Sequence, residues 1–151
     1  MDVLVAQIAK FVSVGVINTL VDLGFFNLFR KIKGFSATTA SYISTTIAMI
    51  GSYIMNKSWT FASKGSNVTT EAVKFFTITI LGLYVIHNGI VYLLTKKILW
   101  PGKLALKIVR MFPFLKKLSN DFVTDNFAKV CAIAVTLVYN FLMYKFFVFV
   151  K

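Results

Sequence analysis

The chain has 151 residues, 58% of them hydrophobic, and its mean hydropathy of +0.77 is far above that of a water-soluble domain. Its 17 Lys and Arg residues against five Asp and Glu give a net charge of +12, clustered between long uncharged runs. This pattern predicts a polytopic membrane protein and excludes a nucleic-acid binder, which needs a water-exposed basic face. Cys131 is the single cysteine, so an internal disulfide is excluded, and we expect neither a metal site nor a cofactor.

Four apolar segments are long enough to cross a hydrocarbon core of about 30 Å, which takes about 20 residues of α-helix. In chain order they are residues 11–29, 35–55, 75–95 and 127–144. Lys33-Gly34 predicts a tight turn, so the first two segments are expected to form a helical hairpin. Residues 62–70 are rich in Ser, Gly, Asn and Thr, which predicts a polar loop.

The connection between the third and fourth segments predicts an amphipathic helix. Lys103, Lys107 and Arg110 lie three to four residues apart, while apolar residues such as Leu104 and Ile108 line the opposite face. This is the period of a helix that lies in the headgroup layer. We therefore expect an interfacial segment between helices 3 and 4, with anionic lipids among its partners.

The four segments also form two repeats, which predicts an all-α fold of two helical hairpins with the same orientation. A shift of 88 residues aligns the second segment with the fourth, so that Lys57 meets Lys145. A shift of 64 residues aligns the first with the third, so that Phe11 meets Phe75. The repeats cover about residues 8–61 and 72–151 of a single transmembrane domain, residues 1–151. Transporters often place a substrate site between such repeats.

Small residues recur at every fourth position along the second and fourth segments. Such residues share one helix face and let neighbouring backbones approach closely in lipid. The aligned positions are Ala40, Ser44, Ala48 and Ser52 in the second segment and Ala128, Ala132, Thr136 and Asn140 in the fourth. We interpret both stripes as helix-packing faces.

Three polar residues are expected deep in the membrane. Asp22 lies 12 residues after Lys10, about 18 Å along a helix at ~1.5 Å per residue. A charged acid at that depth costs about 2.5–3.5 kcal/mol or more. Asn18 lies one turn before it, and His87, the single histidine, lies near the middle of the third segment. The sequence leaves two roles open for each: a hydrogen-bonded structural residue, or a group that contacts substrate or carries a proton.

The aligned ends of the second and fourth segments each place a cation among aromatic residues at the membrane edge. The first end contains Asn56, Lys57 and Trp59, and the second contains Asn140 and Lys145. Basic and aromatic anchors are common at interfaces, but two aligned copies favour one shared site in which ammonium and amide donors bind a lipid phosphate. No paired carboxylates, Ser-His-Asp set or phosphate-binding glycine loop accompany them, so we expect no enzymatic activity.

Three motifs carry a resemblance to a known family by their order and placement. They are Phe11-x-x-x-Gly15-x-x-x-Thr19-x-x-Asp22, Asn56-Lys57-x-Trp59-Thr60-Phe61 and Asn140-Phe141-x-x-x-Lys145-x-x-Val148-Phe149. They resemble the GtrA-like family over nearly the whole chain. The resemblance implies a non-enzymatic flippase that moves a polyprenyl-phosphate-linked monosaccharide across the plasma membrane, for glycosylation of cell-envelope polysaccharide or teichoic acid.

By the same resemblance, the matched positions are the expected site residues: Asp22, Asn56, Lys57, Trp59, Asn140 and Lys145. The chain departs from the family in two places. The family usually has Asn and an aromatic residue where this chain has Ser52-Tyr53, and Arg is common where the two lysines stand. A lysine binds phosphate as a point charge, whereas an arginine binds it as a two-pronged fork.

Two arguments disagree about orientation. With four spans both termini share one side, and that side carries six of the 17 cations: Lys10, Lys57, Lys64, Lys74, Lys145 and Lys151. The positive-inside rule would place the opposite, more basic side in the cytoplasm, whereas the resemblance implies cytoplasmic termini. We follow the resemblance, because much of the excess lies in the interfacial segment.

Two other functions stay open. The chain could anchor a membrane glycosyltransferase without moving a substrate, or it could be a small proton-coupled exporter with Asp22 as the exchanging acid. The expected partners are therefore a polyprenyl-phosphate sugar lipid, membrane glycosyltransferases and a second copy of the chain. The sequence contains no signal for the sugar, the acceptor polymer or the direction of transport.

Overall fold

A computed structural model describes residues 3–32, 35–65 and 67–150 of the chain. Every regular element in these ranges is helical, and no β-strand occurs in them. The predicted all-helical fold is therefore confirmed. The tight turn predicted at Lys33-Gly34 lies outside the described residues, as does Lys151.

Five helices follow one another in the described part of the chain. Helix α1 spans Val3–Lys31, α2 Ala37–Met55, α3 Val68–Lys97, α4 Trp100–Val109 and α5 Asn120–Val148. Three helix ends widen into π-helical turns, which are Asn56–Thr60 after α2, Leu93–Lys97 at the end of α3 and Tyr144–Val148 at the end of α5. A short 3-10 turn, Pro113–Leu115, lies between α4 and α5.

Three of these helices, α1, α3 and α5, are long and apolar enough to cross a membrane. Large apolar side chains on their outer faces, such as Leu20 and Val130, are 64% exposed, which is stable in lipid and not in water. The chain is therefore a membrane protein. Helix α2 differs because Ser or Thr stands at seven of its 19 positions, which lowers its hydropathy below that of the other three.

Some helix boundaries differ from those predicted. Helix α3 begins at Val68, inside the predicted loop, because Asn67 Oδ1 accepts a hydrogen bond of 3.0 Å from the Thr70 N–H and so caps the first turn. Helix α5 begins at Asn120, well before the apolar span that starts at Phe127. Apolar runs mark the part of a helix in hydrocarbon, whereas the helix itself continues through polar residues while its hydrogen bonds persist.

The connection between α3 and α5 contains a helix, α4, and Arg110 directly follows it. Arg110 donates hydrogen bonds to Leu118 O at 2.9 Å and Asn120 Oδ1 at 2.7 Å, so it braces the turns that lead into α5. Helix α4 packs against α5, where a Cβ added at Gly102 would lie 3.3 Å from Thr124 Cγ2.

The chain forms two compact units, which we describe separately. The first unit contains the described residues up to Phe76 together with those from Tyr144 onward. The second unit is Thr77–Met143. In the first, α1 packs along α2; in the second, α5 packs against α4 and against the part of α3 that begins at Gly82.

An aromatic cluster forms the core of the first unit around the end of α2. Its members are Phe11, Tyr53, Phe61, Phe75, Tyr144 and Phe149, each at most 8% exposed. Phe75 stacks on Tyr144 with 4.5 Å between ring centroids, and Phe61 stacks on Phe149 at 5.2 Å. Such pairs add about 0.5–1.5 kcal/mol each beyond their area burial. This contribution matters in a membrane, because burial of apolar surface contributes little to helix association in lipid.

Burial follows the alignment of the two repeats. Phe11 and Phe75 are 8% and 1% exposed, and Phe61 and Phe149 are 3% exposed each. Both stripes of small residues are also buried: Ala40, Ser44 and Ala48 at 0–2%, and Ala128, Ala132 and Thr136 at 0–6%. Aligned positions thus have the same environment although few of their residues are identical.

An ion pair fastens the connection between α2 and α3. Lys57 Nζ contacts Glu71 Oε2 and lies 3.5 Å from Gly65 O, while Ser63 Oγ donates to Glu71 Oε1 at 2.7 Å. Glu71 is only 7% exposed, so its charge depends on these donors. Ala62 turns the chain here with φ of 47°, a left-handed conformation that a non-glycine residue keeps only where its surroundings impose it.

We expect Lys57→Gln to lower the free energy of unfolding by about 3 kcal/mol, because it leaves the buried Glu71 carboxylate without its cation. Lys57→Gln combined with Glu71→Gln should recover more than half of that loss, since no charge then remains to be compensated. Chemical or thermal unfolding in detergent measures both. Lys64→Gln, an exposed change in the same loop, is the matched control, and strictly additive effects of the two changes would contradict the pairing.

Candidate functional site

The eight predicted site residues are divided between the two units. Asn18, Asp22, Asn56, Lys57, Trp59 and Lys145 lie in the first unit, and His87 and Asn140 lie in the second. Both lysines of the predicted phosphate site thus belong to one compact body.

Lys57 occupies the widened turn that follows α2, and its ammonium group is directed at Glu71. Asn56 beside it is 1% exposed; its Nδ2 donates to Ser52 O at 2.9 Å, and its buried Oδ1 has no hydrogen-bond partner among the described residues. Both side chains therefore have structural tasks at this helix end.

Trp59 lies on the outer side of the same turn and is 45% exposed. Lys10 Nζ donates to Trp59 O at 3.3 Å and lies 5.9 Å from the centre of the indole ring. A cation over an indole ring at this distance is stabilised by the ring's quadrupole. This pair ties the start of α1 to the end of α2, as expected of an interfacial anchor.

Lys145 borders a cavity of about 330 Å³ in the first unit. Lys145 and Gln7 supply the polar side chains of its wall, and the remaining wall is apolar and includes Phe61, Phe146 and Phe149. Lys145 Nζ lies 5.8 Å from the centre of the Phe146 ring. The cavity thus combines a cation, an amide and aromatic rings.

The two lysines have different surroundings. Lys57 faces a carboxylate, whereas Lys145 borders a cavity whose wall, in the described part of the chain, does not include Lys57. A single phosphate site formed by both lysines therefore stays a prediction.

Asp22 is partly buried and joins α1 to α2. Its Oδ1 accepts hydrogen bonds from Ser44 Oγ at 2.6 Å and Thr45 Oγ1 at 3.2 Å. Such donors are what an acid in apolar surroundings requires. Asn18, one turn earlier on α1, has a buried Oδ1 that accepts no hydrogen bond from the described residues.

His87 and Asn140 belong to the second unit. His87 is half-buried and ends the π-helical segment Gly82–His87 of α3. Asn140 of α5 lies against Gly82, where an added Cβ would be 2.6 Å from Asn140 Oδ1, so a residue without a side chain is needed for this approach. Among the described residues, Asn140 Oδ1 has no hydrogen-bond partner.

Sequence reasoning missed three residues that define the surroundings of the lysines: Gln7, Ser63 and Glu71. A usable signal was present, because the 64-residue shift that aligns Phe11 with Phe75 also aligns Gln7 with Glu71. Both residues lie one helical turn before a buried phenylalanine, which places them on the core-facing side of the helix.

Comparison with known proteins agrees with these features. Residues 10–149 match the family described as GtrA/DPMS, transmembrane domain. The uncharacterized membrane protein YngA of Bacillus subtilis (strain 168) is 34% identical to this chain over 90 residues, which is 60% of the chain and 57% of YngA. The aligned region thus spans just over half of that relative. No solved structure matches. Since the family match covers nearly all of the chain and all eight predicted site residues, the chain belongs to the GtrA/DPMS transmembrane-domain family.

Proposed function

We propose that the chain moves a polyprenyl-phosphate-linked monosaccharide across the plasma membrane, where the sugar is used to glycosylate a cell-envelope polysaccharide or teichoic acid. The observation that carries this proposal is the pair of aligned helix ends in the first unit, each a π-helical turn with a lysine among aromatic residues. Membership of the GtrA/DPMS family supports a membrane function connected with polyprenyl-phosphate sugars.

For this function the fold would consist of four spans in two hairpins, with both termini in the cytoplasm. Helix α2 would be the fourth span: its 19 residues give about 28 Å of helix, and it packs along the apolar α1. Helix α4 would lie in the headgroup layer. Its Leu104 and Ile108 are about half exposed, as side chains that enter the acyl region would be.

The lipid phosphate would be held at the membrane edge marked by Lys57, Lys145, Asn56 and Trp59, since ammonium and amide groups donate charge-assisted hydrogen bonds to phosphate oxygens. The polyprenyl tail would stay in lipid, because the outer helix faces are apolar. The sugar headgroup would need hydrogen-bonding side chains in the core, and each unit offers two: Asn18 and Asp22 in the first, His87 and Asn140 in the second.

Liposomes that contain the purified protein should scramble a labelled polyprenyl-phosphate sugar between leaflets. Lys145→Gln should lower the rate of scrambling about tenfold or more, because one charge-assisted hydrogen bond to the lipid phosphate is lost. Lys57→Gln is best tested together with Glu71→Gln, which removes the buried acid and protects the fold. A folded protein that does not scramble the lipid would instead favour a role as the membrane anchor of a glycosyltransferase.

Asp22 distinguishes the flippase from a proton-coupled exporter. In a flippase Asp22 acts as a hydrogen-bond partner, so Asp22→Asn should retain most scrambling, whereas Asp22→Leu should slow it about tenfold. In an exporter neither variant carries the exchanging proton, so both should abolish pH-driven drug efflux. The measurement is sugar-lipid scrambling and drug efflux in the same liposomes. Equal loss of efflux in both variants, without any scrambling by the wild type, would contradict the proposed function.

A further inference from the structure

We infer that the carboxylate of Glu71 occupies the position at Lys57 where a lipid phosphodiester binds, and that the lipid binds by exchange with this carboxylate. The inference deepens the proposed function, and it rests on that function only for the identity of the lipid. The site belongs to the first unit. Lys57, Ser63 and Gly65 form it, and Lys74 is the cation that receives Glu71 after the exchange.

An anion is already bound at Lys57, and the chain itself supplies it. Lys57 Nζ contacts Glu71 Oε2 and donates to Gly65 O at 3.5 Å, while Ser63 Oγ donates to Glu71 Oε1 at 2.7 Å. A Cβ added at Gly65 would overlap with Glu71 Oε1, so the absence of a side chain there lets an anionic oxygen approach the loop. An ammonium group and a hydroxyl donor beside such a glycine also suit the oxygens of a phosphoryl group.

The carboxylate of Glu71 and the phosphodiester of a sugar lipid match in charge. Each carries one negative charge shared by two oxygen atoms, so each can accept one hydrogen bond from Lys57 and one from Ser63. Exchange of one for the other therefore leaves the ammonium group of Lys57 with an anionic partner before and after binding. This matters because an ion that loses its partner in a largely buried pair destabilises the fold.

A lipid can reach Lys57 from the membrane edge. The side chain of Lys57 is 20% exposed, so its ammonium group is accessible to a headgroup. Ile54 lies three residues earlier, at the end of α2, and is 55% exposed. Residues at this spacing are neighbours on a helix surface. The phosphodiester can thus bind at Lys57 while the apolar chain of the same lipid packs on Ile54.

Lys74 provides a second partner for the released carboxylate of Glu71. It is exposed and lies three residues after Glu71 on α3, a spacing at which opposite charges pair on a helix surface. The backbone of the loop also opposes the closed state, since Ala62 keeps a left-handed φ of 47° there. Release of Glu71 allows the loop to leave this conformation.

Removal of the internal anion should strengthen lipid binding. Glu71→Gln should tighten binding of a labelled polyprenyl-phosphate sugar about tenfold or more, because the lipid no longer has to displace a carboxylate. A damaged fold would not bind more tightly. Asp125→Asn removes the same charge at an exposed position of α5 and should change binding less than about twofold. Binding is measured on the purified full chain in nanodiscs, with its unfolding temperature as the check on folding.

Further changes locate the gained binding at Lys57. In the Glu71→Gln background, Lys57→Gln should remove the whole gain. Ser63→Ala in the same background should weaken binding about threefold or more, because one hydrogen-bond donor to the phosphodiester is lost. Unchanged binding in Glu71→Gln, or a gain that survives Lys57→Gln, would overturn the inference.

The wild-type chain offers a test that depends on no variant. A carbodiimide couples a soluble amine to accessible carboxylates, and Glu71, which is 7% exposed, should react slowly while it is paired with Lys57. A saturating amount of the polyprenyl-phosphate sugar should raise the coupling rate at Glu71 severalfold and leave the rate at Asp125 unchanged. Mass spectrometry of the two peptides measures both rates. A Glu71 that stays protected in the lipid-bound chain would contradict the exchange.

Competing ligands separate this inference from the proposed function. The polyprenyl-phosphate sugar should outcompete phosphatidylglycerol and inorganic phosphate at equal concentration. If phosphatidylglycerol binds as tightly and gains as much from Glu71→Gln, the exchange stands and the proposed substrate does not. Equal competition by inorganic phosphate contradicts a lipid site. Tighter binding in Glu71→Gln, with no scrambling by the wild type, contradicts the transport function alone. Scrambling by the wild type, with unchanged binding in Glu71→Gln, contradicts this inference alone.

Discussion

The first unit depends on the stacking of Phe61 on Phe149, which joins the two aligned helix ends just after their π-helical turns. The same backbone hydrogen bond precedes each ring, and it runs to the carbonyl oxygen five residues earlier. The N–H of Phe61 donates to Asn56 O at 2.9 Å, and the N–H of Phe149 donates to Tyr144 O at 2.8 Å. A π-helical turn of this kind inserts one extra residue and rotates the residues after it about the helix axis. The extra residue turns the two phenylalanines onto each other, and it also sets where Lys57 and Lys145 project. In lipid, where burial of apolar surface gives little drive, such directed ring contacts carry much of the packing.

Duplication explains why the two lysine sites look alike, and divergence at one aligned position explains why they differ. The polar loop between α2 and α3 is held in one conformation by the Lys57–Glu71 ion pair and by the hydrogen bond from Ser63 to Glu71. The position aligned with Glu71 is Gln7, whose side chain is an amide, and Gln7 and Lys145 line one cavity of the first unit. The two lysines thus stand at equivalent helix ends, but the aligned residues near them differ in charge.

Local features of the fold were predictable from the sequence, and contacts across the repeats were not. The 3.6-residue period and the apolar runs predict the helices, and the small residues every fourth position predict the buried faces that contain Ala40 and Ala132. The aligned basic helix ends follow from sequence spacing alone. The partner of Lys57 did not follow, because Glu71 lies beyond a polar loop and nothing local indicates that the loop folds back. The acceptors of Arg110, at Leu118 and Asn120, did not follow for the same reason, because they depend on how the connection turns.

The alignment also bears on the buried amides. It pairs Asn18 with Gly82 and Ser52 with Asn140, so each aligned pair contains one asparagine, on the first helix of one repeat and on the second helix of the other. In the second repeat, Gly82 provides the space that Asn140 needs. Asn18 Oδ1 and Asn140 Oδ1 are both buried, and neither accepts a hydrogen bond from the described residues. Asn56 Oδ1, Thr60 Oγ1 and Thr136 Oγ1 are in the same state. A buried acceptor without a donor costs about 1–3 kcal/mol, so water or a substrate would stabilise each of these sites. Hydroxyl groups of a sugar that passes each repeat would be donors for such acceptors, and this is the requirement that the proposed transport places on the core.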